Sequence, residues 1–82
     1  MTGVGDAFDE ALLDLGANCK RQRQRQGLSV AELERLSGVK ALTIWHIERG
    51  DAANPTLRTL CKLAHGLDCT LFDLLAAQGR KE

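Results

Sequence analysis

The sequence predicts an all-α fold, five helices in one small domain, and three observations lead there. Apolar residues recur at spacings of three and four along most of the chain, the period of a helix buried on one side. Alternating runs of β-branched residues, the mark of a half-buried strand, do not occur. Capping residues and glycines punctuate the chain at helix-length intervals.

The first helix is predicted from Asp6 to Gln26, with Phe8, Leu12, Leu15 and Cys19 as one buried stripe and Gly27 as its end. Its charges are segregated. Residues 1–17 carry Asp6, Asp9, Glu10 and Asp14 with no cation, and residues 18–28 carry Lys20, Arg21, Arg23 and Arg25 with no anion. Acids at the start and bases at the end complement the helix dipole, and the same arginines would also suit a phosphate. Ser29 caps a short second helix carrying Leu33 and Leu36, and Glu32, three residues on, completes a capping box. "SGV" at 37–39 breaks it, since Gly38 can take the left-handed conformation that a sharp turn between helices requires.

Helix three is predicted from Ala41 to Arg49, stopping at Gly50. The loop "GDAANP" leads to helix four, capped by Thr56 and carrying Leu57, Leu60, Leu63, Ala64 and Leu67. Thr70 and Asp73 form a second capping box for a last helix, "LFDLLAA", at 71–77. One domain over 6–77 follows, with frayed ends at 1–5 and 79–82.

Bulk properties narrow the function classes. With 82 residues, 44% of them hydrophobic, and one proline, the chain suits a single core and not a disordered segment. The net charge of zero gives no global basic bias. No apolar run approaches the ~18 residues of a membrane span and no charged-then-apolar leader opens the chain, so a soluble cytoplasmic protein without membrane contact is expected. Cys19, Cys61 and Cys69 cannot all pair and are expected as reduced thiols. Cys61, His65 and Cys69 recur four apart, but Gly66 and Asp68 should end the helix first and a fourth ligand is missing, so no metal site is expected. The two histidines have no nucleophile or carboxylate arranged with them, and no glycine loop would cradle a phosphate, so neither an enzyme nor a cofactor is expected.

The centre of the chain carries the strongest signal. Two short helices joined by a glycine-containing turn, the second followed by "IERG", read as a helix-turn-helix. At about 100° per residue, Ile44 and Ile47 face inward with Val39, while Leu42, Trp45, His46 and Arg49 point away. An outward face of this kind is what enters a major groove.

The motifs "GLS" at 27–29, "LSGV" at 36–39, "IWHIERG" at 44–50 and "NPTLRTLCKLAHGLD" at 54–68 stand in order and at matching separations. On these, the stretch 15–75 resembles the helix-turn-helix family of phage Cro and repressor (XRE-type) proteins. The resemblance implies a five-helix lambda-repressor-like DNA-binding domain, usually a homodimer on a pseudo-palindromic double-stranded operator. It implies a transcriptional regulator, a repressor, working without cofactor. It pairs Arg23 with Glu48 and leaves that guanidinium near DNA phosphate. It places Ser29 and the N–H groups at the start of helix two on the DNA backbone, although Val30 stands where the family often has Gln. Arg49, Asn54 and Thr56 complete the phosphate set, the loop "DAAN" offering no Lys or Arg. Glu34 replaces a common Ala and is expected to slide to the rim or to pair with Arg35 or Lys40.

The base-reading candidates are Lys40, Ala41, Leu42, Thr43, Trp45 and His46. Lys40 can donate to guanine, and His46 can donate or accept according to its tautomer. Ala41 and Leu42 can only pack, with the thymine methyl as their target. Trp45 is expected along the sugar-phosphate wall. The same apolar spot, Leu42 with Trp45, also fits a protein-interaction module or regulatory subunit on this scaffold. A third arrangement folds Trp45 down over helix two to cover a gap. The dimer contact is assigned to Phe72 and Leu75 of the last helix.

Overall fold

The computed structural model of the chain describes residues 4–52 and 54–77; the expectations for 1–3 and 79–82 lie outside them. Five helices follow in order: α1 (Val4–Arg25), α2 (Val30–Ser37), α3 (Ala41–Arg49), α4 (Leu57–Gly66) and α5 (Leu71–Leu75). Among the described residues there is no strand, and no helix is long and apolar enough to cross a membrane.

The predicted caps form. Glu32 N–H donates to Ser29 Oγ at 3.0 Å and Ser29 N–H to Glu32 Oε1 at 2.7 Å. Thr59 N–H donates to Thr56 Oγ1 at 3.1 Å, and Asp73 and Thr70 exchange bonds of 3.0 and 2.9 Å. Each satisfies N–H groups that the first helical turn leaves without a partner. Gly38 takes φ 79°, and its N–H returns to Glu34 O at 2.8 Å to close α2.

Two helix bounds differ from the expectation. α1 starts at Val4, not Asp6, and stops at Arg25, not Gln26, where the Gln26 N–H turns back to Arg23 O at 3.2 Å. α5 stops at Leu75 instead of reaching Ala77, and Ala76 is extended (φ −62°, ψ 137°). Asn18 accounts for this: its buried amide donates to Leu74 O at 2.9 Å and to Ala76 O at 2.8 Å, taking carbonyls at the end of the helix and drawing the chain onto α1.

The core joins Leu15 and Cys19 of α1 with Leu33, Val39, Ile44, Ile47, Leu60, Leu63, Ala64, Leu67 and Leu74. Val39, Ile44 and Ile47 are buried as their period requires. Phe8 is not part of the stripe, being 42% exposed. The core cluster reaches up α1 only to Leu15, with Leu12 at its lip, so Phe8, one further turn out, meets no partner layer. Glu34 sits half-buried at the rim, and among the described residues it pairs with neither Arg35 nor Lys40. Arg35 points about 100° round the helix from it, and Lys40 stands exposed beyond the Gly38 turn.

Two glycines let backbones touch. A Cβ on Gly16 would collide with the carbonyl oxygen of Ile47, so α1 crosses α3 backbone to backbone. A Cβ on Gly66 would come 2.7 Å from the Cβ of Ser37, which sets the crossing of α4 on α2. Asp68 then turns the chain with φ 54°, which separates Cys69 from the helix that carries Cys61 and His65. Cys19 is buried, Cys61 exposed and Cys69 intermediate; all three are free thiols. Among the described residues no group of three His, Cys, Asp or Glu is placed to hold a metal.

Candidate nucleic-acid interface

α3 is held at three points. Ile44 and Ile47 plug it into the core, Gly16 lets it lie directly on α1, and Arg23 ties its far end. The Arg23 guanidinium meets Glu48 side-on, Nε to Oε2 at 2.7 Å and Nη2 to Oε1 at 2.9 Å. Its Nη1 reaches Leu28 O at 2.8 Å in the link between α1 and α2. One planar cation therefore joins three segments, as a bidentate fork can and an ammonium cannot. The expected Arg23–Glu48 pair is formed. With three of its five N–H donors engaged, Arg23 acts first as a brace for α3.

The opposite face of α3 is open. Leu42 is 66% exposed and Trp45 47%. Lys40 is the N-cap and makes no side-chain cap bond, Thr43 is exposed, and Ala41 and His46 are half-buried. Trp45, half in solvent, meets the His46 ring and the Arg49 guanidinium of its own helix.

Toward the C-terminal end of α3 lies an arrangement that sequence reasoning missed. Gly50 reverses the chain with φ 78°, and Asp51 N–H donates back to His46 O at 3.1 Å. The Asp51 carboxylate thereby meets both basic side chains of the last turn, His46 Nδ1 at 2.9 Å and Arg49 Nε at 3.1 Å. Arg49 in turn lies over the Trp45 ring, 4.3 Å from its centroid. Trp45 and His46 stand edge to face, centroids 5.1 Å apart at 74°. The hydrogen bond from His46, then that from Arg49, holds the Asp51 carboxyl below the usual carboxylate range. The signal available in the sequence was an acid directly after the glycine that ends a helix with two bases in its last turn.

The phosphate candidates are distributed unevenly. Ser29 is exposed, with its hydroxyl accepting from Glu32 N–H. Val30 packs its side chain against the core, leaving only a backbone N–H at the start of α2. Thr56 uses its hydroxyl within α4, accepting from Thr59 N–H and donating to Thr59 Oγ1 at 3.1 Å. Arg49 keeps its terminal N–H groups beyond the Asp51 contact. A groove of about 410 Å³ between α3 and the start of α4 brings Thr43, His46, Asp51, Asn54 and Thr56 together. On α5, Phe72 is 81% exposed, and Leu75 is exposed beside it.

Comparison with known proteins agrees with this geometry. Residues 20–74 match the helix-turn-helix family HTH_3. An HTH-type transcriptional regulator of Haemophilus influenzae is 51% identical over 49 residues, 60% of this chain and 49% of that protein, so the match spans about half of that relative's length. Among solved structures, the restriction-modification controller protein C.AhdI from Aeromonas hydrophila superposes with a TM-score of 0.72 at 33% identity, over 77% of this chain and 94% of that one. SinR of Bacillus subtilis, the master regulator for biofilm formation, seen in complex with DNA, gives a TM-score of 0.70 at 33% identity, over 74% of this chain and 97% of that one.

Proposed function

The chain belongs to the helix-turn-helix family, and on that premise we propose that it is a sequence-specific DNA-binding transcriptional regulator, a cytoplasmic repressor acting as a homodimer. α3 of each protomer enters a major groove, and the two half-sites lie about 34 Å apart, one helical turn of DNA. The observation that carries this reading is the two-sidedness of α3: Ile44 and Ile47 are fully buried, while Leu42 and Trp45 stand in solvent.

Recognition divides by chemistry. Lys40 donates to guanine O6 and N7, Leu42 and Ala41 pack on thymine methyls, and His46 reads a polar base edge. Trp45 and Arg49, already stacked on one another, face the sugar-phosphate wall. The backbone N–H groups opening α2, the amide of Asn54 and the free N–H groups of Arg49 hold phosphates that fix the register. Arg23 contributes by bracing α3. The structure of SinR in complex with DNA supports the DNA-binding reading. Phe72 and Leu75 join the two protomers.

Selection from a random double-stranded pool tests the reading and should return an inverted repeat. Binding should weaken with salt, with a shallower log–log slope for Arg49→Ala than for the parent chain. Trp45 is the only tryptophan of the chain, so acrylamide quenching of its fluorescence should fall when the selected duplex is added. A chain that enriches no sequence, yet captures a protein through Leu42 and Trp45, would belong to the interaction-module class instead.

A further inference from the structure

We infer that Asp51 sets the base preference of the reading helix by holding the Nδ1 proton of His46, which leaves Nε2 as a bare acceptor aimed at amine-bearing base edges. The inference rests on the DNA-binding reading above and deepens it.

An ionised carboxylate can only accept. With Asp51 Oδ1 2.9 Å from Nδ1, the proton of a neutral imidazole belongs on Nδ1, and the other nitrogen carries a lone pair. The contact is fixed on every side. The Asp51 backbone is anchored to the carbonyl of His46 itself, 3.1 Å away. Its second carboxylate oxygen is held by Arg49, whose guanidinium is pinned over Trp45. The Trp45 ring sets the tilt of the imidazole edge to face. Asp51 is the charged group that His46 contacts, and Arg49 meets the other oxygen of that same carboxylate. The residues on the other side of the groove, Asn54, Thr56 and Thr59, are neutral, as is Thr43 on its own helix. Among the described residues, Nε2 has no protein partner.

The major groove offers donors at adenine N6 and cytosine N4, whereas guanine N7 and O6 and thymine O4 only accept. A bare Nε2 therefore favours adenine or cytosine on the contacted strand and sets acceptor against acceptor at guanine or thymine. The composition of α3 alone left this choice open, because a histidine with its Nε2 protonated would prefer the opposite bases. Asp51 touches no base in this scheme. It is a positioning residue.

Two measurements test it at pH 8. In the DNA-free chain carrying His65→Gln, ¹⁵N shifts of the single remaining imidazole should show a protonated Nδ1 and an unprotonated Nε2. Asp51→Asn, of nearly equal shape, should move that balance toward protonated Nε2. In selection from a random duplex pool, the parent chain should keep adenine or cytosine on a fixed strand at one position of each half-site. Asp51→Asn should lose about five- to tenfold discrimination there, the low end for a base contact, with the other positions unchanged. A protonated Nε2 in the parent, or an identical site preference in the variant, overturns the inference. Failure of the parent chain to enrich any site overturns the DNA-binding reading and the base preference with it, while the ¹⁵N shifts still decide the tautomer.

Discussion

Gly16 of α1 faces the carbonyl oxygen of Ile47 in α3 with no room for a side chain between them, and a Cβ there would also stand 3.0 Å from the carbonyl oxygen of Glu48. The height at which α3 stands above the bundle depends on this contact. Gly16→Ala adds an intrinsic helix preference of about 1 kcal/mol but forces two backbones apart. A net loss of about 1–3 kcal/mol is expected from urea unfolding, with weaker DNA binding by the fraction that remains folded. An unchanged midpoint and unchanged affinity would mean that the helices part at no cost.

Arg23 and Glu48 are mostly buried, with side chains 14% and 9% exposed. Removing one strands the other, so Arg23→Ala and Glu48→Ala should each cost about 2–3 kcal/mol, short of the ~3–5 of a fully buried pair. A double-mutant cycle should give about 1–2 kcal/mol of coupling. Arg23→Lys should recover little, since an ammonium cannot reach both carboxylate oxygens and Leu28 O together. Additive losses would show that the two side chains do not depend on one another.

Phe72 contributes little to the monomer's core at 81% exposure. Phe72→Asp should leave helicity and monomer stability within about 0.5 kcal/mol of the parent while shifting sedimentation from dimer to monomer. Operator affinity should fall with it. Identical sedimentation of parent and variant would move the dimer contact off α5.

Burial, then the negative charge of Glu48, pushes the Cys19 thiol from 9.0 up to about 12. Cys61 is exposed, and burial also raises the thiol of Cys69. Timed alkylation at pH 8 followed by mass spectrometry should label Cys61 first, Cys69 more slowly and Cys19 only on unfolding. The sign of the pH effect follows. The unfolded chain releases the Cys19 proton from about pH 9 and the folded chain only near 12, so this contribution is complete below 9 and is lost as pH rises through that window. Rapid labelling of Cys19 in the folded chain would contradict its burial.

Much of the fold was legible because it is local. The caps at Ser29, Thr56 and Thr70 follow from bonds within four residues, and the inward turn of Ile44 and Ile47 follows from the helical period. That Leu42 and Trp45 stand in solvent follows from the same period. The Arg23–Glu48 brace, 25 residues apart, was legible only through family resemblance, since no local rule links the two. Asp51 was missed because its role depends on a chain reversal at Gly50, which brings it back beside the side chains it organises.

The sequence by itself determined five helices, the caps at Ser29, Thr56 and Thr70, and the inward side of α3, because each of those choices is decided by neighbours a turn or two away. The tertiary structure alone decided the rest: that Phe8 lies beyond the core, that Asn18 ends α5 by taking carbonyls up to 58 residues distant, that Gly16 must lack a side chain, and that His46 answers to Asp51. These depend on where whole helices cross and how the chain reverses between them, and spacing along the chain carries no record of which backbones will meet.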